Sequence, residues 1–199
     1  MTEAAVAIRR LASADLPAYK DLRDEMLEAH PEAFTSDATE ERAKEPTDYL
    51  HRLGLDRREH GQFVLGAWRG EHLVGAIGCE RDRRRKARHV GHIIGMMVRP
   101  EARTCGIGRG LLQGLIGECR RIDGMEMLTL TVTAGNAPAV RLYESSGFTL
   151  YGNLRRAIRL DSGEYHDKLH MVLLLGDPPP RRRAFASPAA ARSRPPSRG

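Results

Sequence analysis

The segment Arg103-Thr104-Cys105-Gly106-Ile107-Gly108-Arg109 joins two glycines, a fixed positive charge and the start of an apolar-periodic helix. An apolar run from His92 to Val98 reads as a strand, Pro100 ends it, and Gly106 and Gly108 make a turn before a helix from Ile107 to about Arg121. A helix N-terminus offers unpaired backbone N–H groups and the positive end of the helix dipole, so it holds a phosphate or pyrophosphate wherever the anion can come close. Glycine permits that approach because it lacks Cβ and tolerates positive φ. Arg103 adds a guanidinium able to grip two phosphate oxygens at once. The pattern is neither the dinucleotide fingerprint, which needs a further glycine and a downstream acid, nor a P-loop, which needs Gly-Lys-Ser/Thr. Cys105 beside this terminus could be somewhat acidic, but no base is assigned to it as a nucleophile.

A second cluster, Asn136-Ala-Pro138-Ala139-Val-Arg-Leu-Tyr143-Glu-Ser-Ser-Gly147-Phe148, lies about thirty residues after the first. Pro138 suits the first turn of a helix that Gly147 ends. The strand Met127 to Val132 alternates apolar and polar residues between the two clusters, so strand, helix and strand form the crossover of a parallel pair. Upstream, Val6 to Arg10 reads as an opening strand. Ser13 or Asp15 caps a helix from Leu16 to about Ala29, Pro31 to Thr39 is loop-like, and a second helical stretch runs from Thr39 to about Leu53. Gln62 to Trp68 and His72 to Glu80 make a hairpin about Arg69-Gly70-Glu71, and His89 to Val98 is the next strand. The charged tip Arg81 to Arg88 reads as a solvated connection, with docking of an acidic partner as the other reading. Thr149 to Leu160 and Tyr165 to Leu175 read as closing strands about Asp161-Ser162-Gly163.

Arg103-x-x-Gly106-x-Gly108 together with Asn136-x-x-Ala139-x-x-Leu-Tyr143-x-x-x-Gly147-Phe148 resembles the two signatures of the GCN5-related N-acetyltransferase (GNAT) superfamily over most of residues 5 to 175. Thr104 departs from the glycine common there. The resemblance implies an α/β (α+β) fold: a mixed, mostly antiparallel central sheet flanked by helices, with a splayed parallel strand pair. It implies acetyl-CoA as co-substrate, its pyrophosphate on Arg103, Thr104, Cys105, Gly106, Ile107, Gly108 and Arg109. The pantetheine arm would lie along Met96, Met97 and Val98, with Asn136 on its other side and the Met97 amide toward the acetyl oxygen. Tyr143 would then give its proton to the departing thiolate, and Glu80 or His92, the ionisable residues nearest the cleft, would serve as general base. The helix pair and its loop would wall the acceptor site, which makes Glu32, Phe34 and Thr35 candidate substrate contacts. The transfer needs no metal, and His89 and His92 lack a ligand cluster around them. The implied acceptor is a small amine or amino-acid derivative. Competing readings are acetylation of protein N-termini or lysines, and a sensor that binds acetyl-CoA without turnover.

Composition bounds the remaining classes. The chain has 199 residues, 41% of them hydrophobic, which fits one domain at 1–176 and a tail at 177–199. Six arginines against one acid in the tail leave only +1 of the net charge of +6 on residues 1–176, so a nucleic-acid role for the domain is disfavoured. Six of the eleven prolines also fall in the tail, a composition expected to be disordered. No apolar run reaches the roughly 20 residues needed to span a bilayer, and no secretory leader is expected. Three cysteines without metal-ligand spacing suit reduced thiols in a cytoplasm, and a monomer or homodimer is expected.

Overall fold

The computed structural model describes residues 5–55, 61–103 and 105–176. Strands β1 (Val6–Arg10), β2 (Phe63–Arg69), β3 (His72–Arg81), β4 (Val90–Val98), β5 (Met127–Thr133), β6 (Thr149–Arg159) and β7 (Tyr165–Leu174) form one sheet in the order β1-β2-β3-β4-β5-β7-β6. β4 and β5 pair in parallel, and every other neighbouring pair is antiparallel. Helix α1 (Leu16–Ala29), with the short α2 (Ala38–Arg42) and α3 (Leu50–Leu53), covers one face; α4 (Ile107–Arg120) and α5 (Ala137–Ser145) cover the other. This is the mixed, mostly antiparallel sheet with one splayed parallel pair that the two motifs imply.

The hydrophobic period decides which face each helix lays down. In α4 the buried residues Ile107, Leu111, Leu112, Leu115, Ile116 and Cys119 recur every three or four positions and pack on Phe63, Leu65 and Ile77 of the sheet. Each such leucine, removed from water, contributes about 1.5–3 kcal/mol. On the opposite face Leu16, Tyr19, Leu22 and Met26 of α1 meet Val64, Trp68, Ala76 and Met97.

The stretch from Thr39 to Leu53, expected as one helix, is instead α2, a 3-10 turn at Pro46–Tyr49 and α3. Pro46 is the cause: it lacks an N–H and holds Glu45 extended, at φ −82 and ψ 154. His89 belongs to the turn before β4, which the Val90 N–H closes by donating to the Ala87 carbonyl at 2.9 Å, and its own carbonyl accepts the N–H groups of Glu126 and Met127, at 2.9 and 3.2 Å, where the crossover returns.

The parallel pair is short. Val90, Gly91 and His92 face Met127, Leu128 and Thr129, and beyond them the two strands part. β5 stays paired with β7 along its whole length, so β4 is the strand that leaves. A bulge bends it: Gly95 and Met96 stand opposite the single residue Ile77, and Gly95 takes φ +57, which an L side chain rarely adopts.

Candidate active site

A cavity of about 310 Å³ opens where β4 leaves β5. Ile93 to Met96 form one wall and Leu130 to Thr133 the other, while Asn136, Ala139 and Tyr143 of α5 line its side. Phe34, Thr35 and Ser36 approach from the loop after α1, and Glu80 from the end of β3. Asn136 starts α5 by accepting the Ala139 N–H on Oδ1 at 3.2 Å, with Pro138 in the first turn. That bond changes what Asn136 can offer: its carbonyl is committed to the cap, and the amide NH₂ remains for a ligand. Tyr143 follows two turns later, 5% exposed, with its ring edge-on to Phe148 at 5.9 Å. Burial pushes its phenol up to about 12, so it stands in the cleft as a neutral O–H donor at physiological pH.

The glycine loop leads into α4 as expected. Gly106 is the residue before the helix, at φ +74, and among the described residues a Cβ there would meet nothing within 4 Å. The front of the first turn is therefore open, and the amides of that turn have no intrahelical acceptor. Gly108 serves packing as well: a Cβ on it would lie 3.2 Å from Met96 Cε and 3.5 Å from Leu142. Ile107 turns its side chain into the core, whereas Cys105 and Arg109 are exposed. Arg103 donates to His30 Nε2 at 2.7 Å and to the Val98 carbonyl at 3.3 Å, which places its guanidinium beside the loop. Thr104 lies outside the described residues. The open helix terminus, the bulged strand and the free Asn136 NH₂ fit a phosphate-bearing, extended thioester such as acetyl-CoA.

Other candidates divide. Met97 is buried on the α1 side, so at that position only the backbone is available to a ligand along β4, whereas the half-buried Met96 lines the cavity. Phe34 and Thr35 line the cavity. Glu32 does not; its side chain stands near His30 Nδ1 at 3.6 Å, and its carbonyl accepts the Thr133 hydroxyl at 2.7 Å. His92 is the cross-strand neighbour of Glu80, but it is exposed, bonded to Thr129 Oγ1 at 2.7 Å, and absent from the cavity wall.

The Acetyltransferase (GNAT) family model matches residues 19–148, which contain the glycine loop, the cavity's strands and α5. The chain belongs to this family. It is an N-acetyltransferase by that membership, and its relatives agree. The L-amino acid N-acetyltransferase AaaT of Escherichia coli (strain K12) is 24% identical over 167 residues, 84% of this chain and 96% of that protein. The structure of yncA from Salmonella typhimurium with its cofactor acetyl-CoA has a TM-score of 0.74 at 25% identity, covering 94% of this chain and 99% of that one. Ribosomal-protein-alanine N-acetyltransferase from Brucella melitensis has a TM-score of 0.69 at 28% identity, over 84% and 99% of the two chains.

Within this GNAT frame the sequence reading missed three charged cavity residues, Arg23, Arg52 and Lys168. Arg23 had a signal, since it sits on the apolar stripe of α1 with Tyr19 and Met26, where a charge must find a partner. Its Nε donates to Glu41 Oε2 at 2.6 Å and its Nη2 to Ser36 Oγ at 2.9 Å. Lys168, 6% exposed, gives Nζ to the Ala33 carbonyl at 2.9 Å, and burial lowers its pKa. Nothing in its alternating strand marks it.

Proposed function

We propose that this enzyme moves the acetyl group of acetyl-CoA directly to the primary amine of a small, amino-acid-like acceptor, in a ternary complex within the cleft. The observation that carries this reading is the parting of β4 from β5 after three residue pairs, with Tyr143 buried in the wall of the resulting cavity. Acetyl-CoA, when bound, supplies an activated thioester. The amides opening α4, with Gly106 and Gly108 and the side chains of Arg103 and Arg109, hold its pyrophosphate. The backbone of Met96, Met97 and Val98 and the Asn136 NH₂ orient its arm, and the Met97 N–H polarises the acetyl carbonyl. Glu80, through a water, takes the proton from the acceptor's ammonium, and Tyr143 donates its proton to the sulfur that leaves. His92, outside the wall, holds no place in that path. The setting we propose is the cytoplasm, where the thiols of Cys79, Cys105 and Cys119 stay reduced.

Gly106→Asp tests the cofactor site. An L side chain is strained at φ +74, but aspartate and asparagine take left-handed backbone more readily than other residues, so both variants should lose the same few degrees of melting temperature and stay folded. Its carboxylate would meet the pyrophosphate, and calorimetry should find acetyl-CoA binding weakened at least about tenfold, roughly 1.4 kcal/mol. Gly106→Asn, without the charge, should stay within about threefold. Wild-type affinity in the aspartate variant rejects the site. We also propose that residues 1–176 are the catalytic unit. The same calorimetry on a chain ended at Gly176 should return the full-length affinity, and loss of binding would return 177–199 to the site.

A further inference from the structure

Among the described residues, the charges that line the cavity do not balance. Arg23, Arg52 and Lys168 line it, and among the described residues Glu80 supplies the one carboxylate of the wall. Arg23 is neutralised where it stands by Glu41. Lys168 reaches only a backbone carbonyl, and no acid pairs with it among the described residues. Arg52 is the least satisfied: its Nε is buried without a hydrogen-bond partner, and no ion pair holds it among the described residues. Its guanidinium lies over the Tyr49 ring, 5.7 Å from the centroid, which limits where the fork can point. Nε is closed to solvent, so a ligand in the cavity would meet the terminal Nη atoms of Arg52, whose charge no acid neutralises among the described residues.

Building on the acetyl-transfer reading above, we propose that the acceptor is an amino acid bound by its free carboxylate, with Arg52 as the residue that selects for that carboxylate. The carboxylate accepts from the Arg52 fork in two places, and Lys168 adds positive potential beside it. The same wall explains the arrangement at the other end of the substrate, since the amine must then lie toward Glu80 and away from the cations. A protein substrate enters by its N-terminal residue, whose carboxyl is an amide, and such a group leaves Arg52 unpaired.

The test compares twenty L-amino acids with their carboxamides, at saturating acetyl-CoA, by release of free CoA. The wild-type enzyme should prefer the acid form of its best acceptor by at least about tenfold in kcat/KM. Arg52→Gln should bring that ratio toward one by lowering the rate on the acid, and Arg52→Lys, which keeps the charge but not the fork, should fall between. The wild-type ratio needs no variant, so a misfolded Gln protein leaves the test decisive. Equal use of acid and amide, a preference for the amide, or a ratio unmoved in both variants overturns the proposal. So does a protein that binds acetyl-CoA and accepts no amino acid, and in that outcome the cofactor site stands. Failure to bind acetyl-CoA at all instead removes the reading on which the proposal rests.

Discussion

Tyr143→Phe is expected to lower kcat by about 10²- to 10⁴-fold while the acetyl-CoA dissociation constant stays within about twofold. The two numbers separate because the phenol acts late. Its ring packs against Phe148 inside the core and phenylalanine keeps that contact, so fold and ground-state binding survive. Only the hydroxyl is lost, and with it the proton for the departing thiolate. Burial has moved the phenol up to about 12, so it carries its proton at neutral pH. The same shift fixes a stability window. A folded value above the unfolded value near 10 contributes stability that is complete below pH 10 and lost as pH rises toward 12. A kcat within about twofold of wild type, with chemistry rate-limiting, would reduce Tyr143 to a packing residue.

Glu41→Gln should cost about 3–5 kcal/mol of folding stability at pH 7, read by urea denaturation. Glu41 is 4% exposed and accepts from Arg23 Nε at 2.6 Å, Tyr49 Oη at 2.7 Å and Lys44 Nζ at 2.5 Å. Glutamine keeps the shape but leaves Arg23, 3% exposed, as a charge without its counter-ion. Burial alone would raise the carboxyl, yet the bonds from Arg23, Lys44 and Tyr49 outweigh it and hold the group down to about 2. A depressed folded value contributes stability present above the unfolded value near 4.5 and lost as pH falls toward 2. Wild type should therefore lose its advantage over the variant between those pH values. A difference under about 1 kcal/mol at pH 7 would show that the network is replaceable. Arg23 also lines the cavity, so the variant should raise the acceptor KM before it lowers kcat.

Legibility followed from how local each signal is. The glycine loop and the Asn136 to Phe148 helix were readable because backbone chemistry dictates their residue types in place: Gly106 needs φ +74, and Asn136 caps its own helix. The bends of β4 and the break at Pro46 depend on what faces them. Gly95 becomes a bulge only because Ile77 is its partner across the sheet, and that pairing is set at long range. Arg52 and Lys168 reach the same cavity from α3 and β7, more than a hundred residues apart, and no period or spacing announces that they meet. Asn136 carries the opposite lesson, since a motif residue can be placed correctly while half of its hydrogen-bonding capacity is already spent.

The central claim is that one cleft holds both substrates and passes the acetyl group between them without an enzyme-bound acyl step. Initial velocities over a matrix of acetyl-CoA and amine concentrations test it most directly. Direct transfer predicts CoA release that depends on the amine, with double-reciprocal lines that intersect. Parallel lines with an acetylated Cys105, or acetyl-CoA binding with no amine-dependent release of CoA, would contradict it.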